Sequence, residues 1–232
     1  MTIGLVFLTG LMAVIVWWLF RQTIHVQPWQ AQAAVAGMGG ETANRPAART
    51  ALWVFLGVAT SLFVLFVSAY AMRLQLVDWT PLPQPRLLML NTALLVGASL
   101  AMEWTAHAAR RGDALQVRRG LWASGVLTFA FLAGQLYVWK QLHGAGYFVT
   151  TNAATAFFYL FTAVHGAHVL GGLAAWARAV ARVWRESDPA RARLGIELCA
   201  TYWHYLLAVW VALYVLLVSE AVGLAVCSSV PL

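Results

Sequence analysis

Residues 157–182, FFYLFTAVHGAHVLGGLAAWARAVAR, form a stretch too long and too apolar for an ordinary soluble helix. Its length matches the roughly 20 apolar residues that cross a bilayer as a helix. Two histidines, His165 and His168, stand three residues apart near its middle and share a helical face about 60° wide, with Gly172 below them. Imidazoles buried at that depth need partners. Ala163, Ala167, Gly171 and Ala175 recur at intervals of four and make a separate small-residue stripe, the kind of surface that lets a neighbouring backbone come close. A helix with these two faces is expected at the centre of a bundle, contacted by protein on two sides.

The rest of the chain repeats the theme. Of 232 residues, 62% are hydrophobic and only 10% charged, against roughly a quarter charged in soluble domains. Five more apolar runs lie at about 2–20, 51–72, 86–109, 121–139 and 195–219, so the sequence predicts an all-α, polytopic membrane helix bundle with six spans. The first run ends in Trp17 and Trp18, residues suited to the membrane interface. Arg21 follows that run instead of preceding it, which predicts an uncleaved helix, not a secretory signal. Residues 21–50 contain Pro28, Gly37, Gly39, Gly40 and Pro46 without apolar periodicity and read as a long cytoplasmic loop. The organisation expected is a transmembrane helix at 1–20, this loop at 21–50, and a five-helix bundle over 51–232. Pro81, Pro83 and Pro85 mark the turn between the second and third spans.

A net charge of +7 could suggest nucleic acid, but the cations lie in the connections between apolar runs. Arg21, Arg45 and Arg49, then Arg110, Arg111, Arg118 and Arg119, then Arg178, Arg182, Arg185, Arg191 and Arg193 all follow odd-numbered spans. Only Arg73, Arg86 and Lys140 fall in the other connections. The positive-inside rule turns this asymmetry into an orientation, with both termini periplasmic and no role for nucleic acid. Cys199 and Cys227 are about 28 residues apart, at opposite ends of one span, which predicts no disulfide between them.

Inside the spans, Glu103 and His107 end the third helix, while Glu197, Trp203 and His204 lie on the sixth. At 1.5 Å per residue, Glu103 is about 9 Å, His204 about 12 Å and His168 about 18 Å from the arginine-rich surface. These groups could occupy one polar layer, and intramembrane ionisable residues mark functional sites by default. Three roles are open to them. Interhelical hydrogen bonding by neutral histidines would fix packing, a Glu/His chain could handle protons as in a small transporter, and two histidines three apart could share a metal. No carboxylate completes an ExxH arrangement on their helix.

Three motifs then point to a known family. FFYLFTAVHGAHVLGGL at 157–173 resembles a helix of subunit III of heme-copper respiratory oxidases, in which a phenylalanine pair precedes HGxHV. YWHYLLAVW at 202–210 resembles that family's YWHFVDVVW, with Glu197 matching a family glutamate ahead of it. LNTALL at 90–95 is followed in family order by Trp104, His107 and the Gly112, Asp113 pair, and Gln135 matches on the next helix. Leu207 stands where the family has an aspartate, and the second span lacks a buried glutamate that many members carry, so carboxylate chemistry at those two places is absent. The resemblance implies a bacterial inner-membrane protein that is not itself catalytic. It would stabilise subunit I and support its proton uptake during reduction of oxygen to water. Heme and copper would sit in subunit I and none in this chain, with structural phospholipids bound. His165, His168, His204, Glu197, Glu103, His107 and Trp203 would be structural polar residues or supports for lipid and proton uptake. An accessory protein of nitric oxide reductase, which resembles subunit III, is the alternative.

Overall fold

The computed structural model describes residues 44–74, 87–185 and 189–228. The expected span at 2–20, most of the loop after it, and the proline-rich turn lie outside these residues. From Leu52 onward the chain forms one compact unit. The described chain is wholly helical apart from its turns: α1 (Asn44–Arg73), α2 (Leu87–Arg111), α3 (Ala114–Gly144), α4 (Ala153–Arg185) and α5 (Pro189–Ser228). All five are long and apolar enough to cross a membrane. Among the described residues the count is therefore five, not the six expected for the whole chain.

Each helix outruns its apolar window. Residues 44–50, expected in the loop, belong to α1, and Arg118 and Arg119 are on α3 instead of in a loop. The reason is local capping. Gly112 takes φ 74°, a left-handed conformation that glycine adopts without penalty. The Asp113 amide then donates to Ala108 O at 3.1 Å and the Gly112 amide to Ala109 O at 3.3 Å, which closes α2 as a Schellman motif. Asp113 also caps α3, its carboxylate accepting from the Gln116 amide at 3.0 Å. With so short a turn, α2 and α3 must run antiparallel side by side. Gly146, at φ 86°, ends α3 in the same manner, and Asn152 opens α4 by accepting from the Thr155 amide at 2.8 Å.

The helices α2, α3, α4 and α5 form a ring in chain order, closed by α5 packing on α2. Small residues set the closest seam: a Cβ on Gly120 would collide with Thr105 Oγ1, and one on Gly134 with Asn91 Oδ1. Trp203, Trp210, Phe131, Phe158 and Leu95 fill the interior. Helix α1 stands to one side and reaches α4 and α5 through long side chains: Phe63 lies 5.3 Å from the His168 ring, Tyr70 lies 5.5 Å from Phe161, and Thr60 Oγ1 is 3.2 Å from the Tyr205 hydroxyl.

This arrangement corrects the reading of α4. Ala163, Ala167, Gly171 and Ala175 are exposed, and a Cβ on Gly171 would meet nothing within 4 Å. Among the described residues no backbone packs closely on Gly171, and α1 meets α4 through aromatic rings instead. The glycine on α4 that does admit a neighbour is Gly172, where a Cβ would come 2.8 Å from Tyr202.

Candidate functional site

The predicted polar layer separates into three places. His165 is fully buried in the bundle, its ring 5.1 Å from Trp210 and 5.8 Å from Phe131, and neither ring nitrogen has a hydrogen-bond partner. The expectation that it would find a partner is not met. His168, three residues on, faces α1 instead, and its Nδ1 bonds to Val164 O at 2.8 Å on its own helix. His204 likewise bonds to Ala200 O, at 2.7 Å. Neither of these rings takes the interhelical role open to them: an i−4 carbonyl lies within reach of each and satisfies it locally.

The interhelical hydrogen bonds belong to tryptophan. Trp203 Nε1 donates to Thr128 Oγ1 at 3.1 Å, Trp210 Nε1 to Thr92 Oγ1 at 3.0 Å, and Trp139 Nε1 to Thr162 Oγ1 at 3.0 Å. In each pair the threonine hydroxyl also donates to a carbonyl one turn back, Ser124 O, Leu88 O and Phe158 O, at 2.7, 2.8 and 2.7 Å. Each clasp thus leaves no indole N–H or hydroxyl proton unsatisfied in a medium without water. A buried amide pair, Asn91 Nδ2 to Gln135 Oε1 at 3.3 Å, also joins α2 to α3.

The carboxylates lie on the outer seam between α2 and α5. Glu197 accepts from Arg193 Nε at 2.9 Å and from Arg110 Nε at 3.4 Å. Glu103 Oε1 is 2.9 Å from His107 Nδ1, and its Oε2 is 4.0 Å from His204 Nε2. Glu103 and His107, four residues apart on α2, thus form an ion-pair contact, and His204 approaches it from α5. These side chains are partly exposed, from 16% for Glu197 to 57% for His107. Among the described residues no three His, Cys, Asp or Glu side chains converge as a metal-binding set.

Apart from these polar groups, a cleft of about 440 Å³ lies between α1 at Leu52 and Phe55, α4 at Gly171 and Ala175, and α5 at Tyr202. Arg178 and Arg182 stand at its arginine-rich end. An apolar trough with cations at one end matches an amphiphile with an anionic head.

Residues of all three sequence motifs take part in joining helices, with Thr128, Gln135 and Trp139 of α3 as partners from outside them. Asn91 and Thr92 belong to LNTALL, His165 to HGxHV, and Trp203 and Trp210 to the stretch at 202–210. The sequence profile of cytochrome c oxidase subunit III matches residues 50–220. The chain belongs to the cytochrome c oxidase subunit III family. Among its relatives, cytochrome c oxidase subunit 3 of Synechocystis sp. is 28% identical over 70% of this chain and 71% of that protein. The probable cytochrome c oxidase subunit 3 of Nocardia farcinica is 33% identical over 59% of this chain and 69% of its own length. The Thermostichus vulcanus subunit 3 is 29% identical, and the match spans less than two thirds of it, 63%. Within this family the chain uses its motif positions to bind helix to helix. The tryptophan–threonine clasps are not visible in the sequence, where only tryptophans at mid-helix positions hint at packing.

Proposed function

We propose that this chain is a non-catalytic subunit III of a heme-copper terminal oxidase, which packs against the heme- and copper-bearing subunit I and keeps it active. The observation that supports this most is the use of the family motifs. Thr92, Trp203 and Trp210 are committed to bonds between helices, while His165 lies in ring contacts at the core. Side chains so engaged can hold a scaffold in shape. The matched relatives are oxidase subunits, and nothing matched favours nitric oxide reductase. A transporter is also disfavoured, because the Glu103 cluster lies on an outer seam while aromatic rings fill the bundle interior.

In this reading the arginine-rich end, with Arg110, Arg111, Arg118, Arg119, Arg178, Arg182, Arg185 and Arg193, faces the cytoplasm of a bacterial inner membrane. The end of α5 is then periplasmic, as is the N-terminus if residues 2–20 cross. A structural phospholipid occupies the cleft, its headgroup at Arg178 and Arg182 and an acyl chain along Gly171 and Phe55. Gentle solubilisation of the native membrane and an absorption spectrum of what copurifies tests the reading: heme bands of an oxygen-reducing complex support it, and a preparation free of heme protein refutes it.

A further inference from the structure

The α2–α5 seam carries charge where a lipid-facing surface should have none. At 100° per residue, Arg193, Glu197, His204, Ala208, Val211 and Val215 fall within about 60° of one another on α5. Opposite them on α2 lie Arg110, His107, Glu103, Leu100 and Val96. Glu103 lies about 10 Å inward from Arg110, and His204 about 16 Å from Arg193. A headgroup layer is only about 5–8 Å deep on each side. Glu103, 37% exposed, and His204, 48% exposed, therefore stand past it with water-free surroundings ahead of them. Arg110 and Arg193 are already drawn onto Glu197. His107 Nδ1 is shared between the Glu103 backbone oxygen at 3.0 Å and the carboxylate Oε1 at 2.9 Å, while Oε2 is 4.0 Å from His204 Nε2, beyond hydrogen-bonding distance. Beyond this polar section the seam continues as exposed Leu100, Val96, Val211 and Val215.

The geometry points to this seam as the face covered by a transmembrane helix of the oxidase's heme-bearing subunit, which brings a hydrogen-bond donor to Glu103 Oε2. Hydrocarbon cannot satisfy that oxygen, and a second copy would present the same carboxylate to it. An arginine, lysine, tryptophan or tyrosine on the partner would fill the gap beside His204 and pack its neighbours on Leu100 and Val211. The proposal rests on the oxidase reading.

Its test uses the whole complex in native membranes. A photoreactive benzoylphenylalanine is placed at Leu100 or Val211 on the seam, and at Val58 on α1 or Val126 on α3 as outward controls. The seam positions are expected to give adducts with the heme-bearing polypeptide and the controls lipid adducts. In parallel, Glu103→Leu is expected to lower the chain retained after detergent exchange by about thirtyfold or more, the loss typical of truncating one partner of a buried charge-assisted pair. Glu103→Gln, which still accepts a hydrogen bond, loses less. Copurification of the unmodified chain with a heme oxidase is scored separately. If it copurifies but the seam labels only lipid or a second copy, or if the control faces label the heme polypeptide instead, the seam proposal is overturned and the oxidase reading stands. If no heme protein copurifies, the oxidase reading falls and this proposal with it.

Discussion

Trp203 on α5 donates its indole N–H to the Thr128 hydroxyl on α3, 3.1 Å away, and so ties opposite corners of the four-helix ring. The hydroxyl can accept because its own proton is given to Ser124 O. Removing the acceptor leaves a buried N–H with nothing to bind, whereas removing the donor leaves the threonine satisfied by its own helix. Thr128→Val should therefore destabilise the subunit by about 1–2 kcal/mol. The hydrogen-bond share should be recovered in a cycle with Trp203→Phe, read as a coupling energy in detergent unfolding. Additive single effects would show that the pair is only in contact.

A glycine of α3 and one of α4 offer a contrast. Gly120→Val drives a side chain into Thr105, and an overpacked interface of this kind costs about 1–3 kcal/mol. Gly171→Ala, with nothing within 4 Å of the new methyl, should leave the thermal midpoint of the isolated chain unchanged. Midpoints measured side by side check both.

His165 makes a third case. Its ring is fully buried between Trp210 and Phe131 with no hydrogen-bond partner, so its polar atoms contribute nothing that a phenyl ring would lose. His165→Phe should keep or slightly raise stability, by up to about 1–3 kcal/mol for the relieved polar burial. A large loss on unfolding would mean that the imidazole is bonded in the native membrane.

The cleft makes a fourth. Arg178→Ala with Arg182→Ala should lower the number of phospholipids that survive gentle detergent washing, counted by native mass spectrometry, while leaving the helix content by circular dichroism unchanged. Equal lipid counts in both proteins would remove the cleft as a lipid site.

Much of this structure is readable from the chain alone. Five apolar windows are helices, and the arginines gather at one end because window length and charge are local properties. Helix ends are not legible: Arg118 and Arg119 read as loop because a polar stretch resembles an irregular one, yet helices protruding past hydrocarbon can carry charge freely. The pairings are also hidden. Whether His168 meets His204 or its own carbonyl depends on a choice between a neighbour one turn away and one on another helix, and the nearer group wins in both rings. The threonine that answers Trp203 lies 75 residues away, a register no single-helix pattern contains. The small stripe on α4 misleads for a similar reason, since which face of α4 meets α1 depends on ring contacts such as Phe63 with His168, made across helices distant in sequence.

If the motif residues hold a scaffold and perform no chemistry, the oxidase should tolerate their loss in its rate before it does so in its integrity. The decisive experiment purifies the oxidase with Thr128→Val and Trp203→Phe combined in this subunit, then measures heme content, initial oxygen consumption and activity over many turnovers in one preparation. A scaffold role predicts that complexes retaining the subunit keep wild-type heme and initial rate while losing activity progressively or shedding the subunit in detergent. Initial turnover that collapses in complexes still fully assembled would contradict it.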